Sequence, residues 1–77
     1  MIFEQIREVV VDQLGVKEEE VTLKTNFIED LGADSLDLFQ IIMNLEDKFD
    51  IKIEDVEEIK TVEDAVNFVK ERVDNEE

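Results

Sequence analysis

The residues with chemical potential converge on one short stretch, "DLGADSLD", residues 30–37. It sets a single hydroxyl, Ser35, between Asp34 and Asp37, just after Gly32. A hydroxyl among carboxylates can ligate a metal, attack a substrate, cap a helix or carry an attached group. A calcium loop needs oxygen ligands at positions 1, 3 and 5, glycine at 6 and glutamate at 12. Counted from Asp30, those frames put Gly32 at the third position, Ser35 at the sixth and Ile41 at the last. Counted from Asn26, they put Ile28 and Leu31 at the third and sixth. Neither frame works, so no specific metal site is expected, only loose cation binding by surface acids. A nucleophilic serine needs a general base beside it. The chain has no histidine, and the nearest lysines along it are Lys24 and Lys48, so a hydrolase is excluded.

Capping and attachment remain. Ser35 can cap the helix that follows, but Asp34 can do so equally, with Asp37 at the N3 position. Two adjacent candidates leave one free for another task. With Asp34 as the cap, Ser35 falls in the first helical turn with its hydroxyl toward solvent. Free N–H groups and the helix dipole favour a covalently held phosphate there. The flanking carboxylates oppose it, unless a divalent cation or a basic partner shares the site.

The elements that position this stretch follow from periodicity. Phe3, Ile6, Val10 and Leu14, with Val9 beside them, mark an amphipathic helix closed by Gly15. Residues 16–34 are long for a connection. They carry Val21, Leu23, Phe27, Ile28 and Leu31, which predicts an ordered loop packed over the core, with turns at Thr22, Thr25 and Asn26. A second helix is expected from Ser35 or Leu36 to about Phe49. It has one stripe of Leu38, Ile42, Leu45 and Phe49, widened by Ile41, and a second stripe of Leu36, Phe39 and Met43. Two stripes mean two buried faces, or one buried face and one used for binding. A short acidic segment around 55–59 predicts a turn or two of helix. Thr61 and Asp64 then form a near capping box for a last helix marked by Val62, Ala65, Val66, Val69 and Val73. The expected fold is an all-α, small four-helix bundle of three main helices plus a short third one. It forms a single domain over 1–77, with 73–77 as a frayed tail.

Composition narrows the partners. With 23 acids against 8 bases the formal charge is −15, which disfavours nucleic acid and anionic membranes and favours basic protein patches. Cysteine is absent, so the chain has no disulfide and no thiol of its own. No apolar run approaches the length of about 20 residues that a membrane span requires. The methionine start, without a signal-like segment, reads as a cytoplasmic, bacterial protein and a monomer.

The motifs together carry a resemblance. "QLGV" at 13–16, "FIEDLGADSLD" at 27–37, "LEDKFD" at 45–50 and "KTVEDAV" at 60–66 resemble the acyl carrier proteins, in order and at about their spacing. The likeness spans the whole chain, and "ADSLD" looks like the freestanding carriers of fatty-acid synthesis. The resemblance implies that Ser35, flanked by Asp34, receives 4′-phosphopantetheine from coenzyme A through a phosphodiester made by a separate phosphopantetheinyl transferase. The arm would bring the thiol that the chain lacks. The growing fatty-acyl chain would ride on it as a thioester between synthesis enzymes, so the protein would be a carrier and not an enzyme. It also implies that the acyl chain can fold back into the bundle, past Ile53, Val56 and Ile59. The docking surface for enzymes with basic patches would be Asp34, Leu36, Asp37, Phe39, Met43, Glu46 and Asp47. Acids around an apolar patch suit electrostatic steering on independent physical grounds.

This chain departs from the family pattern in places. Phe39 stands where valine is frequent, Gln40 where glutamate is frequent, and Lys48 replaces a common acid. "IKIEDVEEI", 51–59, lacks the usual proline and is about two residues short, which predicts a shifted third helix. The competing readings are a carrier for a polyketide, an aminoacyl group or a specialised lipid, an unmodified acidic interaction or cation-binding module, and an acidic mimic of nucleic acid.

Overall fold

The computed structural model describes residues 2–54 and 56–75. Three α-helices account for most of it: α1 (Ile2–Leu14), α2 (Ser35–Phe49) and α3 (Val62–Asn75). Two single 3₁₀ turns, Glu18–Glu20 and Val56–Glu58, interrupt the connections. The expected short third helix is therefore one 3₁₀ turn, and the bundle has three helices rather than four. Among the described residues of 51–59, Ile51, Ile53 and Ile59 are all drawn into the core on either side of that turn. Of the tail expected to fray, residues 73–75 continue α3, while Glu76 and Glu77 lie outside the described residues.

The helices end where local chemistry stops them. Gly15 adopts a left-handed φ of 68°, and its N–H donates to the Val11 carbonyl at 2.8 Å, closing α1. α2 ends at Asp50, the one described non-glycine residue with positive φ, at 53°. Aspartate tolerates that conformation better than most residues do. At the start of α3, Thr61 and Asp64 form the anticipated box. The Asp64 N–H donates to Thr61 Oγ1 at 3.2 Å, and the Thr61 N–H donates back to Asp64 Oδ2 at 3.1 Å.

α1 packs against both α2 and α3. Its Ile6 and Val10 meet Leu38, Ile41, Ile42 and Leu45 of α2 and Val62, Ala65 and Val69 of α3 in one core. The 15–34 connection closes this core from one end. Val21 and Phe27 are buried and Leu31 is partly buried, as expected. Leu23 and Ile28, expected to pack inward, face solvent. The reason is the turn at Asn26, whose Oδ1 accepts from the N–H groups of both Ile28 and Glu29 and so swings Ile28 outward. The loop is fastened by backbone hydrogen bonds from Phe27 N–H to Lys60 O and from Val62 N–H to Thr25 O. Another runs from Glu63 N–H to Leu23 O, so loop carbonyls satisfy free donors of the α3 N-terminus. The buried Thr25 hydroxyl is satisfied as well, donating to Glu20 O and accepting from Thr22 N–H.

Asp64 ties stability to pH. Partial burial pushes its carboxyl upward. Hydrogen bonds from the Thr61 and Lys60 N–H groups and the Thr61 hydroxyl, with the charge of Lys60, outweigh this and hold it below its ordinary value. A depressed carboxyl contributes stability above its unfolded pKa of about 3.9 and loses it as pH falls through the folded value. Asp64→Asn is expected to be less stable than wild type at neutral pH, with the gap closing below about pH 4. Urea melts at both pH values measure this, and a gap independent of pH would contradict it.

Candidate functional site at the start of helix α2

The N-terminus of α2 resolves the choice between two caps. Asp34 takes an extended conformation, and its Oδ1 accepts from the Asp37 N–H at 2.9 Å. Asp37 Oδ2 accepts in return from the Asp34 N–H at 3.4 Å. Asp34 is the cap and Asp37 completes the box, so both carboxylates already serve the backbone. Ser35 is thus the first helical residue, exposed to solvent and outside the capping exchange.

Two features hold Ser35 in place. Gly32 turns the chain with φ 70°, which an L side chain would strain, and its N–H donates to Ile28 O. The buried Ala33 then donates its N–H to the carbonyl of Phe27, whose own N–H is bonded to Lys60. The turn before Ser35 is therefore fixed to the strand-like contact between Asn26 and Thr61.

Ser35 opens on a cleft of about 580 Å³. Apolar walls come from Ile28, Leu38, Phe39, Val56 and Ile59, and its rim carries Asn26, Glu29, Glu57 and Lys60. Val56 and Ile59 thus line the cleft, whereas Ile53 belongs to the core. Ile28 and Lys60 were missed as site residues. The Asn26 turn could have signalled that Ile28 faces outward, but Lys60 has no local sequence signal, because a long-range backbone bond brings it there.

The second stripe of α2 is exposed: Leu36 by 78%, Phe39 by 52% and Met43 by 58%. Asp47 is exposed one turn further along. Glu46 differs from it. Its Oε2 accepts from the Ile53 N–H at 2.8 Å, and its carbonyl accepts from the N–H groups of Asp50 and Ile51. Among the described residues, no cluster of acids is arranged to hold a metal ion. No described helix is long and apolar enough to cross a membrane.

Ser35 is thus free of capping duty and stands on a fixed turn beside a cleft with apolar walls. A family model described as "Phosphopantetheine attachment site" matches residues 4–69. The chain belongs to the phosphopantetheine-attachment family. A solved structure from Mycobacterium tuberculosis, provisionally named as an acyl carrier protein, is 39% identical to it. The two superpose with a TM-score of 0.85 over 91% of this chain and 96% of that one. Membership of the phosphopantetheine-attachment family implies a covalently attached 4′-phosphopantetheine. The geometry fits such a group, since the helix N-terminus accommodates a phosphodiester and the cleft accommodates an apolar extension.

Proposed function

We propose that this carrier domain is a freestanding acyl carrier protein of fatty-acid synthesis, with Ser35 as its attachment point. The observation that carries the reading is the exposed Ser35 at the first position of α2, released from capping by Asp34 and opening on the cleft. When bound, 4′-phosphopantetheine supplies the thiol on which an acyl group is held as a thioester. The chain contributes placement. Asp34 and Asp37 fix the turn, and Ile28, Leu38, Val56 and Ile59 shield an apolar acyl chain from water. The apolar walls of Ile28, Leu38, Phe39, Val56 and Ile59 favour a fatty-acyl cargo over an aminoacyl group.

Leu36, Phe39 and Met43 form the docking patch for the transferase and the synthesis enzymes, with Asp47 supplying charge at its edge. A surface of this net charge steers basic partner patches to it with salt-sensitive association. We read it as a carrier and not an enzyme, because phosphopantetheine-attachment domains hold and pass on groups that other proteins transform. It works as a monomer in the cytoplasm.

The test is incubation of the apo protein with coenzyme A and a phosphopantetheinyl transferase, followed by intact mass measurement. One phosphopantetheine is expected on the wild type and none on Ser35→Ala. An adduct that survives Ser35→Ala would refute Ser35 as the site. Absence of any adduct on folded wild type would refute the carrier reading.

A further inference from the structure

Two clefts meet at Phe39. The cleft at Ser35 encloses about 580 Å³. A second, of about 330 Å³, lies between Phe39, Glu54, Val56, Glu57 and Glu58. Phe39, Val56 and Glu57 line both. Val56 and Glu57 belong to the 3₁₀ turn, whose Val56 carbonyl accepts the Ile59 N–H, so that side of the boundary is backbone-fixed. The other side of the boundary is the Phe39 side chain, which lies half-exposed and outside the core cluster.

We propose that Phe39 is the specificity-determining wall of the cleft and limits how long an acyl chain this carrier can shelter. The inference rests on the carrier reading and adds to it the class of cargo: acyl chains short enough to end at the ring. An apolar chain lying in the first cleft is bounded by Ile28, Leu38 and Ile59 and, where the second cleft adjoins, by Phe39 and Val56. Beyond them the second cleft carries the carboxylates of Glu54, Glu57 and Glu58, where a methylene gains little from leaving water. Chains longer than the first cleft therefore add no protection. Removing the ring joins the two spaces and exposes the flank of Val56 to the chain. Enlarging the ring shortens the first cleft. Because Phe39 is outside the core cluster, either change alters the space while leaving the buried core residues in place.

The experiment loads wild type, Phe39→Ala and Phe39→Trp with hydrolysis-resistant amide analogues of acyl-coenzyme A of increasing chain length. A phosphopantetheinyl transferase joins the phosphopantetheine phosphate to Ser35, releases adenosine 3′,5′-bisphosphate, and is removed after loading. Loading is checked by intact mass, and the melting temperature is read against each protein's own unacylated loaded form. No partner enzyme is present during the melt, and only fully loaded protein is compared, so an effect of Phe39 on docking to the transferase does not enter the melting temperatures. For wild type the melting temperature is expected to rise with chain length and then level off. The levelling point is expected to move to longer chains by about two methylenes or more in Phe39→Ala, and to shorter chains in Phe39→Trp. The same levelling point in all three proteins, or no rise in loaded wild type, would overturn the role of Phe39 while leaving attachment intact. Failure of wild type to take any analogue would refute the carrier reading itself, and this inference with it.

Discussion

Phe27→Ala is expected to leave the chain largely unfolded in water, although Phe27 lies in a loop. Its ring is completely buried in the core shared by all three helices. Truncating a buried phenylalanine costs about 3–5 kcal/mol, from lost transfer energy and the cavity left behind. A single core in a chain of this size supplies about 3–5 kcal/mol in total, so one substitution consumes the whole margin. The −15 net charge leaves no reserve, because self-repulsion opposes compaction. Phe27→Leu keeps most of the volume and is expected to cost less than about 1.5 kcal/mol if the site repacks. Circular dichroism with urea titration decides the matter: a cooperative melt of Phe27→Ala within about 1 kcal/mol of wild type would contradict it. Modification should fail together with folding, because the Phe27 carbonyl holds Ala33, two residues before Ser35.

The role of Phe27 shows which parts of the molecule sequence can and cannot reveal. The three helices were legible because Ile6 and Val10, Leu38 and Leu45, and Val62 and Val69 recur at helical spacing, and Asp34, Thr61 and Gly15 mark their ends. Ser35 stood out because its neighbours form the motif, but Asp34 was an equal candidate for the cap, and only the structure gives the cap to Asp34. The second apolar stripe of α2 was visible too, but its pattern left open whether it would be buried, and the structure exposes it. What stayed hidden depends on contacts distant in sequence. Lys60 reaches the cleft only through the backbone bond with Phe27. The exposure of Leu23 and Ile28 depends on turn geometry that hydrophobicity does not encode. The 51–59 segment shows the same limit. Its shortness was visible, but not that Ile53 would sink into the core and be tied there by an acid from α2.

That acid, Glu46, sets the second large effect. By resemblance Glu46 and Asp47 form a pair of docking charges, but their surroundings in the structure are unlike. Asp47 is exposed, whereas Glu46 is half-buried and accepts the Ile53 N–H. Hydrogen bonds to charged groups contribute about 1.5–3 kcal/mol, and a part-buried donor left without a partner bears a desolvation penalty as well. Glu46→Ala is therefore expected to lose about 1.5–3 kcal/mol of stability and to speed hydrogen exchange at the Ile53 amide. Asp47→Ala, as an exposed change, should stay within about 0.5 kcal/mol of wild type. Glu46→Gln keeps an acceptor oxygen and loses the charge, so it should recover much of the stability. These variants separate two functions that a charge reversal at both positions would merge. If Glu46→Ala proves as harmless as Asp47→Ala, its carboxylate is a docking charge and the bond to Ile53 contributes nothing. If it destabilises while Glu46→Gln does not, weaker partner binding by Glu46→Ala reports a loosened 51–59 wall. In that case Glu46→Gln becomes the variant that measures electrostatic steering.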